Sequence, residues 1–211
     1  MDADTFREAV EEAKGTELDR LGSSKLLVAL TDAELDRESV LRVAAHSEHA
    51  ARETFRRWAD SEDDAGAREA FDRVREQEAD HYERVVASLG DDDFDPSDGG
   101  PMHMYLRGLE DTASRVAAGL VGRGLVSLRT HTQIVGFFVN EADERRADLF
   151  RDLKRETGEE VDLGLRLLEE RCEADEDWER ARAAAEYVIQ IAYDDYADSL
   201  EGMGVNPRSV C

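Results

Sequence analysis

Lysine is nearly absent from this chain of 211 residues: Lys14, Lys25 and Lys154 are the only three among 27 basic residues, which face 51 acidic ones. The resulting formal net charge of −24 repels phosphate backbones and anionic membranes, which argues against a nucleic-acid binder or a basic membrane-surface helix. An acidic surface poor in lysine suits multimolar salt, where screening shrinks to roughly 3 Å at about 1 M, so a halophilic host is expected. Cysteine is confined to Cys172 and Cys211, with no Cys-x-x-Cys pair. A disulfide framework, a zinc ribbon and a rubredoxin-type iron centre are thereby excluded. No apolar run approaches the roughly 18 residues of a membrane helix, and the Met1-Asp2-Ala3-Asp4 start lacks the basic region and apolar core of a signal peptide. A cytoplasmic protein without membrane or nucleic-acid partners is the expectation.

Proline is scarce as well, at 96, 101 and 207, and Ala, Leu, Glu and Arg are abundant, so nearly every segment is free to be helical. The fold class expected is all-α: one domain over 1–211, with N-terminal helices in 1–34, a long helical hairpin in 35–89, a linker in 90–101 and a second half in 102–211. Within the hairpin, helices are predicted from Leu35 to Ala59 and from Ala65 to Leu89. Beyond the linker the pattern predicts Met104 to Val121 and Leu125 to Glu156, with Gly119, Gly122 and Gly124 weakening the junction and Thr157-Gly158 closing the second helix. Two more follow, from Glu159 to Glu173 and from Asp177 to Leu200.

Against this apolar periodicity a few ionisable residues stand out. Leu41, Ala44, Glu48, Ala51 and Phe55 share one stripe of the first long helix, placing a carboxylate in line with core residues. The second repeats the anomaly along Phe71, Val74, Glu78, His81, Val85 and Leu89, a Glu-x-x-His step pointing inward. An unpaired carboxylate in an apolar interior costs several kcal/mol, so such groups must be hydrogen-bonded, protonated or bound to a cation. Carboxylates with an imidazole suit iron or manganese, and one Glu plus one Glu-x-x-His is half the ligand set of a dimetal helical bundle. Mutual hydrogen bonding of buried Glu and His is the alternative.

At these residues the sequence resembles the rubrerythrin-like branch of the ferritin-like superfamily. Ala45-His46-Ser47-Glu48-His49-Ala50-Ala51-Arg52 is similar to its first metal-binding helix, and Glu76-Gln77-Glu78-Ala79-Asp80-His81 to its second. A vaguer likeness, through Leu18-Asp19-Arg20-Leu21-Gly22-Ser23-Ser24-Lys25, is to halophilic archaeal members. The resemblance implies a ferritin-like four-helix bundle with additional N- and C-terminal helices, a dinuclear iron centre, and peroxide or oxygen chemistry in which iron changes oxidation state. An external electron donor would be its partner, since the chain carries no rubredoxin module.

The second half departs from that pattern, because no Glu-x-x-His follows His81. Ser127, His131, Ile134, Phe138, Glu141 and Arg145 share the stripe of the predicted 125–156 helix. His131 and Glu141 are ten residues apart there, about 15 Å along the axis, so only one of them can join a given centre. Glu144 is a further candidate, and Arg145 could replace the cation by pairing with Glu48 or Glu78. The candidate ligands are therefore Glu48, Glu78, His81, His131, Glu141 and Glu144, with dinuclear iron or manganese as cofactor.

Other motifs carry less. Asp91 to Asp95 lacks the glycine and the bidentate Glu of a calcium loop and is expected to be a solvated linker. Gly22-Ser23-Ser24-Lys25 lacks Walker spacing, and His46-x-x-His49 has a helical step that could bind a metal, but His46 lies off the core stripe and the pair is expected to be surface imidazoles. Three readings thus stand: a peroxide- or oxygen-directed dimetal oxidoreductase, a mononuclear metal-binding protein without turnover, and a degenerate bundle serving as a binding or structural module. A homodimer through apolar helix faces is compatible with each.

Overall fold

Aspartates cap the starts of half of the described α-helices. In a computed structural model that describes residues 1–91, 94–97 and 99–208, Asp2 accepts from the Thr5 N–H at 2.8 Å and opens α1 (Ala3–Ala13). The short α2 (Gly15–Leu21) and α3 (Lys25–Leu30) follow. Asp36 caps α4 (Arg37–Ser61) through the Ser39 N–H at 2.8 Å, and Asp64 caps α5 (Ala65–Leu89) through the Ala67 N–H at 2.7 Å. Each such cap satisfies an amide the helix cannot and contributes about 1 kcal/mol. Gly90, in the left-handed region at φ 74°, ends α5. Pro101 begins α6 (Pro101–Arg107), where its fixed φ suits the first helical turn.

Asp111 caps α7 (Thr112–Arg115), which passes through a π-helical stretch, Val116–Gly122, into α8 (Arg123–Asn140) with right-handed helical backbone at every junction. α9 (Glu144–Arg171), capped by Asp143, and α10 (Asp175–Gly202) complete an all-α chain with no strand among the described residues. Of the residues named from the sequence, Cys211 and part of the Asp91 to Asp95 run, Asp92 and Asp93, lie outside the described set.

Three expectations about helix boundaries are corrected. The predicted 125–156 helix is interrupted at Glu141–Asp143, where Ala142 takes φ 55° and Asp143 starts a new helix. α9 then runs straight through Thr157 and Gly158, which were expected to cap it; the Thr157 hydroxyl donates to the Leu153 carbonyl at 2.9 Å, a mid-helix bond. Nor do the glycines at 119, 122 and 124 break the helix. A methyl at Gly119 would strike the Trp58 ring, and one at Gly122 would strike Val188 and the Ala185 carbonyl, so these glycines permit close approach to α4 and α10.

α4 packs along α5, α8 along α9, and α5 against α9, while α10 covers the 116–122 stretch and touches α2, α3 and α6. The apolar interior falls into two clusters. One gathers Phe55, Trp58, Phe71, Val74, Leu120, Leu125, Val161 and Leu168 with the N-terminal helices and α10; the other gathers Leu41, Ala44, Val85, Ile134, Phe138, Phe150 and Leu153. α4, α5, α8 and α9 each pass from one cluster to the other. Between the clusters sit Glu48 on α4, Glu78 and His81 on α5, His131 on α8, and Thr157 and Glu160 on α9, all buried. The molecule therefore has a polar layer across its middle, sealed above and below by hydrocarbon.

Candidate metal centre

Glu48, Glu78 and His81 converge: one ligand atom from each lies within 4.8 Å of the other two. His81 Nδ1 stands 3.5 Å from Glu48 Oε2 and 3.6 Å from Glu78 Oε2. Those separations are too long for hydrogen bonds. They are close to the spacing of ligands around one cation, since bonds of about 2.1 Å at ordinary coordination angles leave donors about 3.0–3.4 Å apart. Glu78 Oε2 and His81 Nδ1 are buried and have no hydrogen-bond partner.

The surrounding contacts orient these donors. His81 Nε2 lies 2.8 Å from Glu156 Oε2, and Arg84 Nη1 donates to the same oxygen at 2.9 Å. With Nε2–H given to Glu156, a neutral His81 presents its Nδ1 lone pair to the two carboxylates, the outer-shell arrangement by which proteins fix the tautomer of a ligating imidazole. His131 Nε2 donates to the other oxygen of Glu48, Oε1, at 3.2 Å. On the far side of Glu78, Arg123 Nη2 lies 2.8 Å from Glu78 Oε1 and 2.6 Å from Glu160 Oε2. Arg123 Nε donates to the Gly119 carbonyl at 3.1 Å, its guanidinium rests 5.1 Å from the Phe55 ring centre, and Gln77 donates to the remaining oxygen of Glu160.

Two of the three buried carboxylates, Glu78 and Glu160, thus share one permanent cation, Arg123, while Glu48 faces the two histidines, and the charge state of the layer follows. Burial would raise Glu48, but His131 and His81 override it and hold this carboxyl well below the usual range. Glu78 is raised by burial despite Arg123, and Glu160 is pushed well up by burial and by the nearby Glu78. His81 moves the other way: burial alone would depress it, but the Glu48 and Glu78 carboxylates facing Nδ1 raise it to about 11. Without a metal, a proton on His81 supplies the missing positive charge. A divalent ion among the same three donors would supply it instead, so the residues present fit one such ion.

Of the six ligands expected from the sequence, then, three meet at one point and His131 reaches them through Glu48. Glu141 and Glu144 do not belong to the layer. Both are exposed beside the Glu141–Asp143 turn, 3.7 Å from Arg37 and 3.0 Å from Arg151 respectively, because that turn ends the stripe on which Glu141 was counted. Arg145 is exposed too, and Arg123 holds the place proposed for it. His46 lies outside the centre, accepting from the Ser97 N–H at 2.9 Å.

Arg123, Glu156 and Glu160 are the residues that sequence reasoning missed. Glu160 follows Phe150, Leu153 and Thr157 on the buried stripe of α9, and Arg123 precedes Ser127 and His131 at steps of four on α8. Both signals were legible, but a helix end expected at Thr157-Gly158 hid the first and three glycines hid the second. Set against family models, curated proteins and solved structures, the chain matches none.

Proposed function

We propose that this all-helical chain is a rubrerythrin-like, ferritin-like bundle that binds one iron or manganese ion through Glu48, Glu78 and His81 and acts on peroxide or oxygen. The observation that carries the reading is the pair of buried, unpartnered atoms Glu78 Oε2 and His81 Nδ1, aimed with Glu48 Oε2 at one point too wide for hydrogen bonds. Two carboxylates and an imidazole suit iron or manganese over the softer metals that thiolates select. Such an ion would supply one-electron redox chemistry and a coordination position for a small oxygen species.

The protein's own part is to orient and to balance charge. Glu156 holds the His81 tautomer, His131 holds Glu48, and the two apolar clusters keep bulk water from the layer. Electrons must come from an external donor, because the sequence has no cysteine pair for an iron centre of its own. The alternative class, a bundle kept as a binding or structural module, is favoured by one observation: His81 stands among three carboxylates, Glu48, Glu78 and Glu156, so that a proton on its ring would balance the layer without metal.

Elemental analysis separates the two. Protein purified from high salt should carry about one iron or manganese per chain, and His81→Ala should lose it while remaining folded. Metal-free wild type that takes up no Mn(II), with His81→Ala and Glu78→Gln no less stable than the parent, refutes the metal reading. Peroxide consumption with a chemical reductant, present in wild type and lost in Glu48→Ala, tests the activity separately.

A further inference from the structure

The sequence led to an expectation of two metal ions, and the second position raises a different question. A dimetal bundle shares carboxylates between its ions. Glu78 is shared here, but between unlike partners: Oε2 faces the Glu48 and His81 donors, while Oε1 is 2.8 Å from the Arg123 guanidinium. Glu160, the buried acid of α9, meets the same guanidinium nitrogen at 2.6 Å. Arg123 therefore stands where an ion bridged by Glu78 and Glu160 would have to be.

We propose that Arg123 is a fixed second cation, which occupies the second half of the centre and limits the chain to one metal ion. The proposal rests on the metal reading of Glu48, Glu78 and His81 and adds the reason for its stoichiometry. Several features make the arginine permanent. Its charge cannot be lost by deprotonation, unlike that of lysine or histidine. It is 3% exposed, clamped by the Gly119 carbonyl and by the face of Phe55, and so cannot swing out to solvent. It directly follows the π-helical stretch Val116–Gly122, whose wider turn shifts the register of every residue after it, and π-helical turns recur at functional sites. Gly119 and Gly122 bring that stretch close against Trp58 and α10, which sets the depth from which Arg123 reaches Glu78.

The test uses the full chain in high salt, stripped with a chelator, loaded with excess Mn(II) and desalted. Bound manganese is counted by elemental analysis, and its electron paramagnetic resonance spectrum distinguishes an isolated ion from an exchange-coupled pair. Wild type should hold one ion with an isolated-ion spectrum. Arg123→Gln, which frees Glu78 Oε1 and Glu160 for a metal, and Arg123→His, which offers a ligand in its place, should each rise to two ions with a coupled spectrum. Arg123→Lys should stay at one. Two ions per wild-type chain overturn the proposal whatever the variants do, as do folded Gln and His variants that both remain at one. No manganese in wild type but uptake by Arg123→Gln keeps the arginine as the cation of the centre and refutes the metal reading of the native chain. No uptake in any form refutes both.

Discussion

Acid should destabilise this protein through one histidine outside the three-donor cluster. His103, on α6, is 4% exposed, with Nδ1 at 3.0 Å from the Thr54 hydroxyl. Burial, reinforced by the charges of Arg123 and Arg107, pushes its imidazole down from 6.5 to about 3. Between those values the unfolded chain binds a proton that the folded chain does not, so stability rises with pH across the window and is lost as pH falls below the unfolded value. Near pH 5, about 1.5 units below that value, the loss is about 2 kcal/mol at about 1.36 kcal/mol per unit. With a urea dependence of about 2 kcal/mol per molar, this displaces the unfolding midpoint by roughly 1 M. Surface carboxylates also titrate here, but at about 1 M salt their interactions are screened to roughly 3 Å, whereas the desolvation of a buried ring is not. The assay is urea unfolding at pH 7 and pH 5 in high salt, on wild type and on His103→Gln, which cannot take up the proton. The acid-induced drop should be about 2 kcal/mol smaller in the variant; equal drops would refute a neutral, buried His103.

Three further outcomes follow from the same structure. In metal-free protein the raised pKa of His81 contributes stability that is complete below the unfolded value and disappears as pH climbs through about 11, so thermal melts should fall steadily on the alkaline side. A flat alkaline profile would show that no proton is held there. Gly119→Ala drives a methyl into the Trp58 ring and should cost about 1–3 kcal/mol in denaturant unfolding; an unchanged midpoint would mean that α4 and the π-helical stretch are not in close contact. Glu141→Ala and Glu144→Ala, at exposed positions, should leave metal content unaltered and stability within about 0.5 kcal/mol, and loss of metal in either would place that carboxylate in the centre after all.

How much of this was legible in the sequence depended on whether a residue's local pattern and its tertiary role agreed. Helical class and the α4–α5 hairpin were, because scarce proline and strong apolar periodicity leave little choice. Glu48, Glu78 and His81 were legible as charges on an apolar stripe, a violation that solvent adaptation cannot explain. The Glu141–Asp143 turn was not, since α8 and α9 present apolar stripes to the same interior and the period simply resumes across three residues. Glycine misled for a related reason: it marks both a chain that bends and a chain that is approached, and at 119 and 122 only packing against Trp58 and Val188 distinguishes the two. Arg123 lay among those glycines, so the arginine considered as a replacement for the metal was Arg145, which the turn instead leaves in solvent.

The charged belt between the two apolar clusters also acts as an alignment key. Apolar side chains tolerate exchange among themselves, so a core of leucines and phenylalanines alone would allow helices to slide past one another by a turn at modest cost. Here a slide of about 5.4 Å along α8 would pull Arg123 away from Glu78 and Glu160 and leave buried, uncompensated charges, the most expensive fault a protein interior can contain. Only one registry of α4, α5, α8 and α9 brings every acid of the belt to its partner. The groups that cost the fold most to bury are thus also the ones that index its helices.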